Sequence, residues 1–157
     1  METSLILGKN SSLIKYKNQI HYASEEGLFI YNESKMAFER DAILSNIIKK
    51  EDYISGKLVV DKNEKLWAFS KDNISYIEND DVTNKPIIKN ISIPSKLRKG
   101  VLGYENIALV DHKTYVLGTA NGYLTLDISL INKTADYSIY LNSVSVKDNG
   151  RGIPVGM

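Results

Sequence analysis

Short runs of apolar and aromatic residues alternate with polar turns along most of the chain, and one arrangement of them occurs three times. These runs are residues 20–31, 66–77 and 115–126. Each contains an apolar segment that ends at a hydroxyl residue, then two further residues, and then Gly or Asn before a second apolar segment. The hydroxyl residues Ser24, Ser70 and Thr119 are 46 and 49 positions apart. Because Gly and Asn accept positive φ and the flanking residues favour strands, each run predicts a tight β-hairpin.

A further apolar segment precedes each hairpin, and another follows it. The preceding segments are residues 13–16, 58–61 and 107–111, and the following ones are residues 36–38, 87–93 and 137–141. Four antiparallel strands at a period in the forties are typical of a β-propeller blade. The sequence therefore predicts an all-β fold, a partial β-propeller of about three four-stranded antiparallel blades.

The predicted blades occupy residues 1–134, with repeat units near residues 12–44, 57–93 and 106–134. Residues 135–157 are predicted to begin a following β-domain or to form a fusion tail. Residues 41–50 are expected to connect two blades through an irregular turn or a short helix. Trp67 is expected to pack between blades. Three blades do not close a ring of ~4–8, so we expect the remaining blades or self-association to cover the open edges.

Composition removes several classes of partner and chemistry. Twenty basic and nineteen acidic side chains leave a net charge of +1, which predicts no nucleic-acid or anionic-membrane partner. The chain has no cysteine, so disulfides and cysteine-ligated zinc are excluded. No apolar run reaches about 18 residues, and the first eight residues have no basic leader. We expect no membrane contact by this segment and no signal peptide in this chain.

Candidates for catalysis are few. The two histidines, His21 in a predicted strand and His112 in a predicted turn, have no second ligand at metal spacing. Both are predicted to be surface or packing residues. Neither a nucleophile elbow nor a phosphate-binding loop occurs. We therefore expect a protein that is not an enzyme, with no catalytic residue, metal site or cofactor, and the sequence assigns no ligand-binding residue.

Parts of the repeat resemble the blade motif of two-component-regulator propellers. The resemblance rests on Gly-Leu-Phe-Ile-Tyr at residues 27–31, on the Asp turn and Leu-Trp strand of residues 61–70, and on residues 119–126, which resemble a last blade. Residues 140–146 resemble the opening strand of the triple-tyrosine β-sandwich domain that follows such propellers. The resemblance implies a non-catalytic bacterial sensory module, extracytoplasmic (periplasmic), whose partner is a carbohydrate or other small ligand. A structural propeller for protein–protein contact is the alternative.

The last residues resemble a different family. Asp-Asn-Gly-Arg-Gly at residues 148–152 is similar to the ATP-binding motif of type II topoisomerases. The resemblance implies that Asp148 accepts the adenine amino group and that Gly150 and Gly152 let the backbone approach the nucleotide. The helix that carries the metal-binding Asn and the catalytic Glu is missing, and so is the glycine-rich lid. An exposed glycine-rich tail is therefore the simpler interpretation, and part of a gyrase-type nucleotide site is the alternative.

Overall fold

The structure, a computed structural model, is all-β and describes residues 10–80 and 82–131 together with the backbone of two strands beyond them. Sheet 1 contains β1 (Ser12–Tyr16), β2 (Gln19–Ser24), β3 (Gly27–Asn32) and β4 (Ala37–Arg40). Sheet 2 contains β5 (Tyr53–Val60), β6 (Leu66–Ser70), β7 (Asn73–Asn79) and β8 (Pro86–Ser92). Sheet 3 contains β9 (Ile107–Leu109), β10 (Thr114–Thr119) and β11 (Gly122–Asp127), and β12 (Ser145–Asp148) pairs with β13 (Arg151–Pro154).

Each of the three sheets is an antiparallel meander whose spatial strand order follows the chain. The predicted all-β class and the four-stranded composition of the first two units are therefore confirmed. Sheet 3 has three strands among the described residues, and the strand predicted at residues 137–141 lies outside them. Two short α-helices follow sheets 2 and 3, α1 (Ser95–Arg98) and α2 (Ile128–Ile131). No helix in this part of the chain is long and apolar enough to cross a bilayer.

The three predicted hairpins are present, but one of them differs in its backbone. Gly27, which pairs with Ser24, has a φ of +122°. Gly122, which pairs with Thr119, has a φ of +149°. These are conformations that favour glycine. Asn73 does not adopt a positive φ, so the expectation that all three turns use one is wrong for this residue. Its hairpin is closed instead by the Ser70 hydroxyl, which donates to the Asn73 carbonyl oxygen at 3.2 Å.

The predicted connection between the first two repeat units forms two short 3-10 helices, Leu44–Ile47 and Lys50–Asp52. Asp41 starts the first one, because its Oδ1 accepts the backbone N–H groups of Ile43 at 2.9 Å and Leu44 at 2.8 Å. This is the short-range bonding by which Asp favours turns. Leu44 and Ile47 then turn inward and are buried between the sheets.

Side chains alternate along a strand, so each sheet has two faces. We call the face that points toward the next sheet along the chain the back, and the opposite face the front. Neighbouring sheets pack back to front. The back of sheet 1, with Ala23 and Leu28, shares a buried cluster with the front of sheet 2, which includes Leu66, Ala68 and Ile77. The back of sheet 2 packs in the same way on the front of sheet 3. This second cluster contains Trp67, Phe69, Ile74, Tyr76, Tyr115 and Leu117.

The two clusters stabilise the stack by the hydrophobic effect, at about 1.5–3 kcal/mol for each large apolar side chain that is fully buried. Trp67 is 0% exposed and lies between sheets 2 and 3, 4.7 Å from the Tyr115 ring, centroid to centroid. The prediction that Trp67 packs between repeat units is therefore confirmed.

Candidate functional site

A cavity of about 170 Å³ lies between sheets 1 and 2, and we call it the intersheet slot. The lining side chains that bear on its chemistry are Tyr16, Lys17, Gln19, His21, Asp41 and Pro86. Four of them come from the β1–β2 hairpin, one from the connection to sheet 2, and one from β8. The slot therefore exists only because the two sheets are stacked.

The β1–β2 turn positions the hairpin residues of the slot. Lys17 and Asn18 have φ values of 46° and 63°, which is the two-residue turn that suits the twist of a hairpin. It reverses the chain so that Tyr16 pairs with Gln19. His21 follows two residues after Gln19 and lies on the same face of the strand. The turn thus brings an aromatic ring, an amide and an imidazole to one end of the slot.

His21 is buried with only 1% of its surface exposed. Its Nδ1 lies 3.3 Å from the Gln19 carbonyl oxygen, and its ring meets the Tyr16 ring edge-on at 5.7 Å. Burial lowers the pKa of His21 below its ordinary value, although the Gln19 carbonyl and the charge of Asp41 oppose that shift. In the neutral tautomer that donates Nδ1–H to Gln19, Nε2 carries a lone pair that can accept a hydrogen bond.

The remaining polar groups of the slot differ in charge and in hydrogen-bonding role. Asp41 commits Oδ1 to the 3-10 helix, and Oδ2 is the oxygen left to accept from a ligand. Lys17 donates to Asn79 Oδ1 at 3.3 Å, and its ammonium lies 5.4 Å from the centre of the Tyr16 ring. Gln19 contributes an exposed amide that can both donate and accept. The slot therefore offers acceptors, donors and an aromatic surface over a short distance.

A second polar cluster, around Asp61, lies between sheets 2 and 3. Oδ1 of Asp61 accepts the backbone N–H groups of Asn63 at 2.8 Å and Lys65 at 3.0 Å. Oδ2 accepts from Trp67 Nε1 at 2.9 Å and from the Tyr115 hydroxyl at 2.7 Å. Burial raises the pKa of Tyr115, and the hydrogen bond and negative charge of Asp61 raise it further. With all four bonds made, this carboxylate joins two sheets and has a structural role.

A third polar cluster surrounds the buried side chain of Arg98. Its Nη2 donates to the carbonyl oxygens of Ser70 and, at 3.5 Å, Lys71, whereas Nε has no partner among the described residues. Glu105 lies in the same region and accepts from the Ser55 hydroxyl at 3.1 Å. The adjoining cavity has a volume of about 20 Å³, which is room for one water molecule.

The sequence did not identify these clusters. His21 was predicted to be a packing or surface residue, and its burial against Tyr16 confirms that it packs. The structure also places His21 in the lining of the slot, which the sequence did not indicate. His112 is exposed in the turn between β9 and β10. Across the described residues, no three His, Asp or Glu side chains lie close enough to hold a metal ion. Arg98 is the last residue of the short helix α1, and no sequence motif marks it.

The residues of the nucleotide-motif alternative fall at the β12–β13 hairpin. Asp148 ends β12 and pairs with Arg151, while Gly152 lies in β13 opposite Lys147. Gly150 lies outside the described residues. No family model matches the sequence, and no curated protein or solved structure matches it.

Proposed function

We propose that this chain is a section of a β-propeller that binds a small ligand and serves as the non-catalytic sensory part of a bacterial two-component-type signalling protein. The support for a propeller is the repetition of one meander three times, with the back of each sheet on the front of the next. The observation that carries ligand binding is the intersheet slot.

The chemistry of the slot favours a small, neutral, polyhydroxylated ligand such as a monosaccharide. Pockets that hold small molecules combine apolar walls with a few convergent polar groups. The Tyr16 ring supplies the apolar surface, and the Asp41 carboxylate and Gln19 amide supply an acceptor and a mixed partner for hydroxyl groups. A volume of about 170 Å³ suits one sugar ring better than a drug-sized molecule.

We propose binding because Asp41 and His21 are each held through one atom, which fixes the other atom as an acceptor for a ligand. Asp41 Oδ1 holds the start of the first 3-10 helix, and His21 Nδ1 faces the Gln19 carbonyl. Their remaining atoms act as fixed acceptors. A ligand that bridges His21 on sheet 1 and Pro86 on sheet 2 would couple the two sheets, which is how a sensory role follows from this site.

The test is a calorimetric titration of the protein with a panel of neutral mono- and disaccharides. Gln19→Leu and Lys17→Met change exposed side chains of the slot, and Lys62→Met is the matched control in an exposed turn outside it. We expect saturable binding that both slot variants weaken about tenfold, the cost of one or two lost hydrogen bonds, and that Lys62→Met leaves unchanged. No binding across the panel, or equal binding by all variants, would overturn the proposal.

Two other functions are distinguished by their own measurements. Nucleotide binding through Asp148 is favoured by the motif and by the end of β12 at that residue. Binding of a fluorescent ATP analogue that disappears in Asp148→Ala would establish this function. No binding of the analogue to the unaltered protein would exclude it. A propeller for protein contact alone would capture a partner protein and bind no small ligand.

A further inference from the structure

Two further cavities adjoin the intersheet slot. One lies between sheets 1 and 2, has a volume of about 180 Å³ and shares Tyr16 and Lys17 with the slot. We call it the turn cavity, because its other polar lining residues lie in or near the β5–β6 turn: Asn63, Glu64, Lys65, Glu78 and Asn79. The other lies on sheet 1, has a volume of about 300 Å³ and shares Gln19 with the slot. We call it the edge cavity, and its other polar lining residues are Asn18, Tyr31, Asn32, Glu33 and Glu39.

The slot is the middle cavity of a row, because the turn cavity and the edge cavity each share residues with it and none with each other. The β1–β2 turn follows this row. Its four consecutive residues from Tyr16 to Gln19 each line at least one of the three cavities. Across sheet 1 the row extends from β1 to β4, which is three strand spacings or about 14 Å.

The edge cavity combines a fixed wall with polar groups that the fold leaves unused. Asn32 Nδ2 donates to Glu39 Oε2 at 2.9 Å, and Lys35 pairs with the other oxygen of Glu39, so this carboxylate is held in place. The Tyr31 hydroxyl and the Glu33 carboxylate have no hydrogen-bond partner within the described part of the chain. These two groups are therefore available to the hydroxyl groups of a ligand.

The turn cavity is built in a similar way. Lys65 Nζ donates to Glu78 Oε2 at 2.5 Å and lies 4.8 Å from the centre of the Tyr76 ring, so the fold already uses this ammonium. Asn63 and Glu64 are exposed in the β5–β6 turn, and their side chains have no hydrogen-bond partner among the residues that the structure describes. An amide and a carboxylate are thus free to bind hydroxyl groups here as well.

The volumes and charges of the three cavities suit the same kind of ligand. The turn cavity, at about 180 Å³, nearly equals the slot, at about 170 Å³, and the larger edge cavity has room for a ring with its substituents. Each cavity contains a carboxylate, namely Asp41 in the slot, Glu33 in the edge cavity and Glu64 in the turn cavity. Carboxylates in every cavity disfavour an anionic ligand. Repeated polar cavities therefore favour a chain of repeated neutral rings.

We propose that the row binds a linear, neutral oligosaccharide of three rings, with the central ring in the slot and one ring in each flanking cavity. This proposal rests on the proposed function, because the slot must hold a sugar ring before its neighbours can add to the affinity. The linkages between the rings pass over the shared residues, Lys17 on one side and Gln19 on the other. Linked rings bind more tightly than single ones, because the second and third ring bind intramolecularly.

The test is a calorimetric titration of the full chain with matched sugars of one to four rings. The probes are glucose, mannose, galactose and xylose and their linear 1,4-linked oligomers. We expect one series in which the affinity rises about tenfold or more from one ring to three and does not rise further at four. A series in which one and three rings bind equally would overturn the proposal and leave the slot as a monosaccharide site. Affinity that still rises at four rings would overturn the row of three.

Variants of the flanking cavities test which residues hold the outer rings. Glu33→Ala in the edge cavity and Asn63→Ala in the turn cavity should each weaken trisaccharide binding about five- to tenfold, the cost of one lost hydrogen bond. Neither residue lines the slot, so the loss should grow with chain length. Glu25→Ala and Asn121→Ala are the matched controls, since both residues are exposed in turns and line none of the three cavities. Circular dichroism would show that each variant remains folded.

The outcomes separate this proposal from the proposed function. Trisaccharide binding that neither flanking variant weakens would overturn the row and leave sugar binding by the slot intact. Binding of a monosaccharide alone would do the same. No binding by any sugar of any length would overturn the proposed function, and the row with it.

Discussion

Replacing Asp61 with alanine removes a carboxylate that accepts from one buried donor on sheet 2 and one on sheet 3. Trp67 Nε1 and the Tyr115 hydroxyl both donate to its Oδ2, and both of these side chains are 0% exposed. A buried donor left without an acceptor costs about 1–3 kcal/mol. Two such donors give an expected loss of about 2–6 kcal/mol in the free energy of unfolding. That is a large part of the ~5–15 kcal/mol by which a domain is stable.

Urea denaturation followed by tryptophan fluorescence measures this loss directly, because Trp67 is the only tryptophan in the chain. Asp111→Ala is the matched control. Asp111 starts the equivalent turn of sheet 3 and accepts the N–H groups of Lys113 and Thr114, but its hydrogen bonds stay within that turn. The control reports the cost of losing the turn alone. Asp61→Ala should therefore lower the urea midpoint by more than Asp111→Ala does.

Tyr115→Phe isolates the bond between the sheets. It removes the 2.7 Å bond to Asp61 while keeping the ring and the bond from Trp67. A hydrogen bond to a charged acceptor contributes about 1.5–3 kcal/mol, and the variant should lose an amount in that range. Equal losses in the Asp61 and Asp111 variants, together with no loss in Tyr115→Phe, would refute the conclusion that this carboxylate joins the sheets.

Three other perturbations have defined outcomes. Gly27→Ala should destabilise the fold by about 1–3 kcal/mol more than Gly122→Ala in urea, because its Cβ would lie 2.8 Å from Ser45 Oγ while the Cβ at Gly122 meets nothing. The lowered pKa of His21 means that its contribution to stability is complete above about pH 6.5 and is lost as the pH falls below it. Urea midpoints from about pH 5 to 7.5 should therefore rise with pH, and His21→Phe should flatten that rise. Arg98→Met keeps the buried stem but removes two hydrogen bonds to carbonyl oxygens, so thermal denaturation should show a loss of about 1–3 kcal/mol.

The sheets were predictable because their signals are local. Alternating apolar residues, a hydroxyl residue and a Gly three positions further on specify a hairpin within about a dozen residues, and Gly27 and Gly122 behave as this pattern requires. Asn73 was misread because Asn accepts either sign of φ. The residue type permits a left-handed turn without requiring it. Residue type alone could not show that the Ser70 hydroxyl closes this hairpin instead.

The polar clusters were not predictable, because each depends on contacts between distant parts of the chain. Asp61 and Tyr115 are 54 residues apart, and nothing near either residue in the sequence specifies the other. Tyr16 and Pro86 meet at the intersheet slot only after sheets 1 and 2 have stacked. The blade motif shows Asp61 and Trp67 close together in the sequence. The second donor to Asp61, the Tyr115 hydroxyl, comes from another sheet. Topology, rather than local pattern, assembles these sites.

The two intersheet contacts carry different side chains at equivalent positions. Aligned on Ser24, Ser70 and Thr119, His21 holds on sheet 1 the position that Trp67 holds on sheet 2, and Leu66 holds on sheet 2 the position that Tyr115 holds on sheet 3. At the second contact, two large rings and a carboxylate fill the space, and every polar atom of that trio is bonded. At the first, an imidazole and a leucine replace the two rings, and a two-residue turn replaces the turn that carries Asp61. His21 lines the slot, whereas Leu66 is buried in the cluster between the sheets. Nε2 of the neutral imidazole is the atom left to accept a hydrogen bond from a ligand hydroxyl.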